Sequence, residues 1–385
     1  MLDAHAACAD ELSSPRTSRV SFPHAVRYTL DKISRVKIFP RTYLKKGCRA
    51  MRFEFYREGL AGVPKLSVDG TVGNALHLSH WEGNTTPVEL RADTSTEIAL
   101  NFVASPRREE LSRDIEVVTN NHFDTDGVLS VWTVLAGERA LAHKDALVAA
   151  AEAGDFSEFP NARAVRASIL IQGSDNPLVE GIASPLAQHL AGGTSLDERR
   201  AYELILPEVE RVLTHTDEYE PLWREGWSSI EAALESFAAG RSRVEEDAET
   251  RLSVVTLARD LYGAAGFKPT RHAAPYTAIA HNARGEVFLI STPTDDGWSY
   301  RIDYPYYSWA VTYVRPRVAR RDFAGLVERL NELESDGAGR WKTDRSEMTS
   351  AVKFSDAGGT QAVSRLEPDA VAEELRASLK SSAMS

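Results

Sequence analysis

The hydrophobic rhythm of the chain changes twice along its length. Between about residues 25 and 120 the apolar positions come in short alternating or β-branched runs, "AVRYTLDKISRVKIF", "RAMRFEFYREG", "PKLSVDG" and "RDIEVVTN". Runs of that kind, bounded by Gly, Pro, Asn and Asp, predict strands. "TPVELRADTSTEIALNFV" predicts a strand to about Asp93 and then a helix. Ser95 or Thr96 would cap that helix, with Glu97 in its first turn, where an acid suits the helix dipole. "GVLSVWTVLAGERALAH" has helical length and spacing. From about 140 to 265 helical spacing dominates, in "HKDALVAAAEAG", "DERRAYELILPEVERVLTH", "SSIEAALESFAAG" and "AETRLSVVTLARDLYGAAG". One predicted strand, "ARAVRASILIQG" (162–173), interrupts them.

Beyond 265 the alternation returns. "GEVFLIST", the turn "PTDDGW" and "WSYRIDYPYYSWAVTYVRP" predict antiparallel strands. An amphipathic helix, "RDFAGLVERLNELES", and a last strand around "SAVKFS" follow. The fold class expected is α/β: a mostly parallel sheet flanked by helices, then a smaller α+β module with an antiparallel sheet. The division expected is a tail over 1–25, the α/β module with a helical extension over 26–265, and the second module over 266–385.

Composition narrows the function. With 43% hydrophobic and 26% charged residues among 385, the chain is not a disordered one. No apolar run is long enough to cross a bilayer. The opening "MLDAHAACADELSSPRTSRVSF" has no apolar core of the signal-peptide kind and reads as a mobile tail. Cys8 and Cys48 allow one disulfide at most and no thiolate metal cluster, so a cytoplasmic location is the expectation. A net charge of -11 opposes a surface built for long nucleic acid. Two basic concentrations, 40–53 and 315–322, could each be a solvated face or a local grip on an anion.

The chemistry concentrates in "TNNHFDTDGVLSVWTV" (119–134), a strand end running into a helix. Ligands in open α/β sheets bind at the carboxyl ends of strands. His122, Asp124 and Asp126 at alternate positions can bring imidazole and carboxylates to one point, and that donor set suits manganese, iron or zinc. Gly127 would let the chain turn behind Asp126. The plainer reading is a polar turn whose acid caps the following helix, a task for which one carboxylate suffices.

"NNHFDTDGVLSVWTVL" resembles the first motif of the DHH phosphoesterases, and Ser130 matches the small residue in its helix. "LSVDGTVGNALHLSHWEGNTTPVELRADTSTEIALNFV" (66–103) is similar to the motifs that family carries next. Asp69 matches the strand-end Asp, and Ser79-His80-Trp81 stands at the Asp-His-His tripeptide, keeping one histidine. Asp93, Ser95, Thr96 and Glu97 match a supporting segment, and Asp155 in "AAEAGDFSEF" matches the fourth-motif Asp. The order departs from the family, with the His-x-Asp-x-Asp loop last, as in a circular permutation.

The resemblance implies two divalent ions, manganese by preference, among Asp69, His80, His122, Asp124, Asp126 and Asp155, with no organic cofactor. It implies hydrolysis of a phosphoester or a related small phosphorylated anion or short nucleotide by a hydroxide bridging the metals, in a cleft between the modules. His80 and Asp126 would take part in the chemistry itself. Arg315, Arg317 and a glycine loop "DGAGRW" with Gly337, Gly339 and Arg340, or arginines of the 41–52 region, would hold the substrate. A homodimer is compatible with this reading. Two alternatives stay open: a non-haem iron oxygenase using His122 and Asp124 with His189 or His215, and a decayed phosphoesterase kept as an anion-binding or regulatory protein. His77, His189, His215 and His281 read as surface or satisfied core residues, His272 sits near the module junction, and the tyrosines 304, 306 and 307 read as sheet packing or a base-stacking face.

Overall fold

The computed structural model describes residues 51–173, 184–261, 274–334, 339–345 and 348–382. Strands β1 (Arg52–Phe53), β2 (Lys65–Val68), β3 (Ala75–Leu78) and β4 (Val117–Thr119) form the first sheet, in the order β1-β4-β2-β3. Every pairing in it is parallel. Central parallel strands are covered on both faces, and β2 is accordingly buried at all four positions. Its Lys65 is buried too, because Nζ donates to the carbonyls of Leu60, Val63 and Asn74.

Helices α1 (Ser95–Ala104), α2 (Thr125–Ala136), α3 (Lys144–Asp155) and α4 (Ala162–Gln172) pack around that sheet. In α2 the side chains of Val128, Leu129, Val131, Trp132 and Val134 are all buried. A helix apolar all round is an interior helix, and each such side chain contributes about 1.5–3 kcal/mol. Further helices, α5 (Pro185–Ala191), α6 (Glu198–Ile205), α7 (Val209–Thr214) and α8 (Glu220–Ala238), extend the same core through Tyr202, Val212, Trp223 and Trp227.

The second sheet runs β5-β6-β7-β8-β10-β9, built from β5 (Arg243–Asp247), β6 (Leu252–Thr256), β7 (Val287–Pro293), β8 (Trp298–Asp303), β9 (Arg340–Thr343) and β10 (Ser350–Ser355). It is antiparallel except for the β6–β7 pair. The period-2 alternation of strands sends Leu252 and Val254 to one core and Val255 to another. The first of these cores is covered by α10 (Ala324–Leu333) and α11 (Pro368–Ser382), and the second by α9 (Tyr276–Asn282) and the end of α8. The α/β class with a smaller, mainly antiparallel second module is what the chain adopts.

Four local expectations are corrected. Within 162–173, Ala162–Gln172 form α4 and not a strand, because Asn161 caps the helix through its side chain and the apolar positions close onto one core. "RLSVVT" is the strand β6 and not helix, since its apolar run alternates between two cores. The second sheet therefore begins at Arg243, ahead of the boundary read near 265. Residues 86–93 hold only a short 3-10 turn, Val88–Leu90, and the helix after them is capped by Thr94. After β8 the chain leaves the sheet at Asp303, makes a 3-10 turn at Tyr306–Trp309 and runs back over the first module.

Candidate metal centre

Three adjacent parallel strands end side by side, and each delivers a ligand candidate just past its carboxyl end. Asp69 follows β2, His80 follows β3 and His122 follows β4. Asp69 has a left-handed backbone (φ 60°), which a non-glycine residue adopts at a cost and which recurs at functional sites. At Gly70 a Cβ would collide with the Asn121 and Asn120 side chains, so the β2 and β4 ends can close together only over a glycine.

The side chains form two donor groups that share Asp69. One is Asp69, His80, Asp126 and Asp155, all buried; the other is Asp69, His122 and Asp124, partly open to solvent. His80 Nε2 lies 3.0 Å from Asp155 Oδ2, 3.5 Å from Asp69 Oδ1 and 3.9 Å from Asp126 Oδ2. His122 Nε2 lies 2.8 Å from Asp69 Oδ2 and 3.0 Å from Asp124 Oδ2. Asp69 Oδ2, His80 Nε2, His122 Nε2 and Asp155 Oδ2 are sealed from solvent and have only these imidazole–carboxylate contacts with one another. Buried polar atoms are nearly always satisfied; here the imidazole nitrogens and carboxylate oxygens face only one another, a donor set that a cation could complete.

Surrounding bonds fix the orientation of these groups. His80 Nδ1 sits 2.7 Å from the Asp93 carbonyl, which can only accept, so Nδ1 carries a proton and Nε2 is the nitrogen that faces the carboxylates. Ser95 Oγ donates to Asp69 Oδ1 at 2.9 Å. The Ser95 and Thr96 amides at the start of α1 each donate to Asp126 at 2.7 Å, a helix N-terminus holding a carboxylate. Asp124 caps α2 by accepting from the Gly127 amide at 2.7 Å and still faces His122 through its other oxygen. Tyr202 Oη donates to the His122 carbonyl and accepts from Asn120 Nδ2. Gly127 lies within α2 rather than at a sharp bend; it is required because a Cβ there would overlap Asn120, Tyr202 and Asp124.

Four carboxylates and two imidazoles leave an excess of negative charge in a buried place. Burial and the Asp69 charge push Asp126 up to about 7. Burial also carries Asp155 well above the usual carboxylate range. Burial acts the same way on Asp69, but His122, His80 and Ser95 outweigh it and hold that carboxyl down at about 2. Burial opposes a charged His80, yet Asp155, Asp126 and Asp69 lift it to about 10; Asp124 and Asp69 likewise lift His122 to about 12. Divalent cations relieve crowding of this kind, and imidazole nitrogen with carboxylate oxygen fits manganese, iron or zinc.

The second module closes over the centre. The Val311 amide donates to the His80 carbonyl at 2.8 Å. The amides of Tyr313, Val314 and Arg315 all donate to the Asp93 carboxylate. Trp309 meets the His80 ring in a T-shaped contact at 5.0 Å, and Phe156 lies 5.7 Å from the same ring.

All six residues read as ligands from the sequence therefore meet, Asp155 among them. The residues read as substrate-binding are placed differently. Arg315 is taken up by Asp93, Glu152 and Glu158 and fastens the two modules together. Arg317 is exposed. Arg340 pairs with Ser355, at the far end of β10 from Ser350, which pairs with Asp303 where the chain departs for the centre. Gly339 packs on the Phe354 ring. Gly337, His272, Cys8, Cys48 and the 41–50 region lie outside the described residues; Arg52 pairs with Glu54 and Glu116. His77 is satisfied by Val72 and Thr85, and His189 and His215 are exposed and outside both donor groups. Trp309, Tyr202, Asn120 and the Glu152–Glu158 pair were missed: Trp309 and Tyr202 lie far along the chain from the motifs, and Asn120, Glu152 and Glu158 lie inside them but act through distant partners.

The fold and the centre define a two-module α/β protein with a buried His/Asp cluster able to chelate a metal ion. A model of a family of unknown function, DUF6687, matches residues 50–383, and the chain belongs to that family. No curated protein matches it. Among the described residues, no helix is long and apolar enough to cross a membrane.

Proposed function

We propose that this protein is a metal-dependent hydrolase of a small phosphorylated anion, related to the DHH phosphoesterases with their motifs in permuted order. The observation that carries the reading is the shared carboxylate. Asp69 faces His80 with one oxygen and His122 with the other, so it belongs to both donor groups at once. That is the arrangement a pair of divalent ions requires, with manganese the preferred metal for its mixed N/O donors. Bound ions would acidify a water molecule and neutralise charge building up on the phosphoryl group.

The protein's own groups would do the rest. Asp69, His80, Asp126 and Asp155 would hold the buried position, and Asp69, His122 and Asp124 the more open one. Asp126, braced by two amides of α1, keeps its carboxylate in place while charge shifts around it. The partly exposed His122–Asp124 edge is the side from which substrate would enter. The meeting of every ligand candidate supports an active centre over a decayed one.

The test is metal content of the full chain purified without chelator, with turnover of a generic phosphomonoester and phosphodiester in added manganese. Two bound ions with turnover are expected. One iron with oxygen uptake, or no bound metal and no turnover, would overturn the reading.

A further inference from the structure

Beside the donor groups stands a set of unsatisfied groups, all of them hydrogen-bond donors. Trp81 Nε1, Trp309 Nε1, Ser157 Oγ and Ser308 Oγ are each shielded from solvent and without a partner. The two indoles stand against the centre. The Trp81 ring lies 5.5 Å from that of His122 and 4.7 Å from that of Trp309, which in turn contacts His80 at 5.0 Å. Ser308 precedes Trp309, and Ser157 stands two residues after Asp155. Ser157 is 1% exposed and holds a left-handed backbone (φ 48°), a conformation retained where the surroundings enforce it. A shielded donor without an acceptor costs about 1–3 kcal/mol, and two indole N–H groups beside one cluster of metal-ligand candidates are placed to serve an acceptor-rich ligand.

We propose that the two indole N–H groups and two seryl hydroxyls form the wall that holds the non-bridging oxygens of a terminal phosphate next to the metal cluster. This deepens the hydrolase reading above and rests on it for the identity of the substrate. The donors are neutral, so they can bind an anion without forming the ion pairs with the neighbouring carboxylates that an arginine here would. Trp81 stands at the third position of the degraded tripeptide and replaces an imidazole with a group that can only donate. The bonds from the 311–315 segment to His80 and Asp93 close the far side. A terminal phosphate offers three non-bridging oxygens to such donors where a phosphodiester offers two, so the class selected is a phosphomonoester.

The wall is tested by calorimetric binding of inorganic phosphate to the full chain, with and without saturating manganese. Trp81→Phe and Trp309→Phe keep a ring and delete the N–H; Ser308→Ala deletes a hydroxyl on the same wall should either aromatic variant fail to fold. Phosphate affinity should fall about tenfold or more in each folded variant, with manganese stoichiometry unchanged and KM for the monoester raised. Unaltered phosphate affinity in all of them, or no phosphate binding by the wild type in either state, would overturn the proposal. Preference for an internal phosphodiester would overturn the terminal-phosphate assignment. Phosphate binding that depends on the indoles, in a chain that turns over no phosphoester, would count for the wall and against the hydrolase.

Discussion

Asp69 Oδ2 lies 2.8 Å from His122 Nε2, a contact that joins the end of β2 to the loop after β4 across the floor of the centre. Its other oxygen faces His80 and takes the Ser95 hydroxyl. Removing one negative charge here should therefore disable both donor groups. Asp69→Asn keeps the shape and is expected to lower manganese affinity about a hundredfold or more, exceeding what loss of an outer-shell partner does. Metal at a hundred times its dissociation constant adds about 2.7 kcal/mol of stability. The wild type should thus melt higher in manganese and return to its lower melting point with chelator, whereas the variant should melt at one temperature in both. A manganese-induced shift of wild-type size in Asp69→Asn would refute the shared-carboxylate assignment.

Asp124 carries two duties that different substitutions separate. Asn is as good a helix cap as Asp, so Asp124→Asn should leave the metal-free melting point within experimental error while losing the more open ion. Asp124→Ala loses the cap as well and should cost a further 0.5–2 kcal/mol or so, as cap deletions do. In both variants the buried group of Asp69, His80, Asp126 and Asp155 retains its members, and one ion should stay. Loss of both ions from Asp124→Asn would show that the groups do not fill independently.

The sequence made the centre legible where chemistry is local and left it dark where it is not. A histidine and two acids crowded between a strand and a helix announce themselves, and Asp69 at a strand end does so nearly as well. The meaning of Arg315 depends on Asp93, Glu152 and Glu158, which lie between 157 and 222 residues away in the chain, and no local pattern encodes such a meeting. Its basic neighbourhood suggested an anion grip; the structure uses it as a fastening. The misread elements, α4 and β6, are short apolar runs that fit either period. Asn161 decides the first, and the second is decided by the two cores that face β6. "DGAGRW" had the composition of a phosphate loop, yet Arg340 and Gly339 fall at the wrong end of β10 for the centre.

Ser95 offers a test of support without ligation. Its hydroxyl donates to Asp69 Oδ1 and accepts from the His80 amide, and its own amide donates to Asp126 Oδ2; Ser95→Ala loses the two hydroxyl bonds and keeps the amide one. Manganese affinity should drop by about 10–100-fold, in the manner of other outer-shell deletions, and Ser95→Thr, which restores a hydroxyl, should recover most of it. A merely structural role would lower the melting point without this recovery pattern in metal affinity.

The fastening between modules predicts a coupled loss of stability and metal binding. Arg315 donates to Asp93, Glu152 and Glu158 while Asp93 also accepts the Tyr313, Val314 and Arg315 amides. Arg315→Met leaves three carboxylates facing one another and should cost about 3 kcal/mol, toward the low end for a broken buried pair because the amides remain. Burial by itself would raise the Asp93 carboxyl, but those amides and the guanidinium hold it below its ordinary 3.8. A carboxyl lowered by folding contributes stability that is complete above the unfolded value and disappears as pH falls through the folded one. The wild type should accordingly lose stability below about pH 4, and Arg315→Met should show a shallower loss over the same interval, measured by urea unfolding at successive pH values. Because the carbonyl of Asp93 orients His80, the variant should also bind manganese more weakly at neutral pH. Parallel acid limbs in the two proteins, or full metal affinity in the variant, would mean that the clamp and the centre are independent.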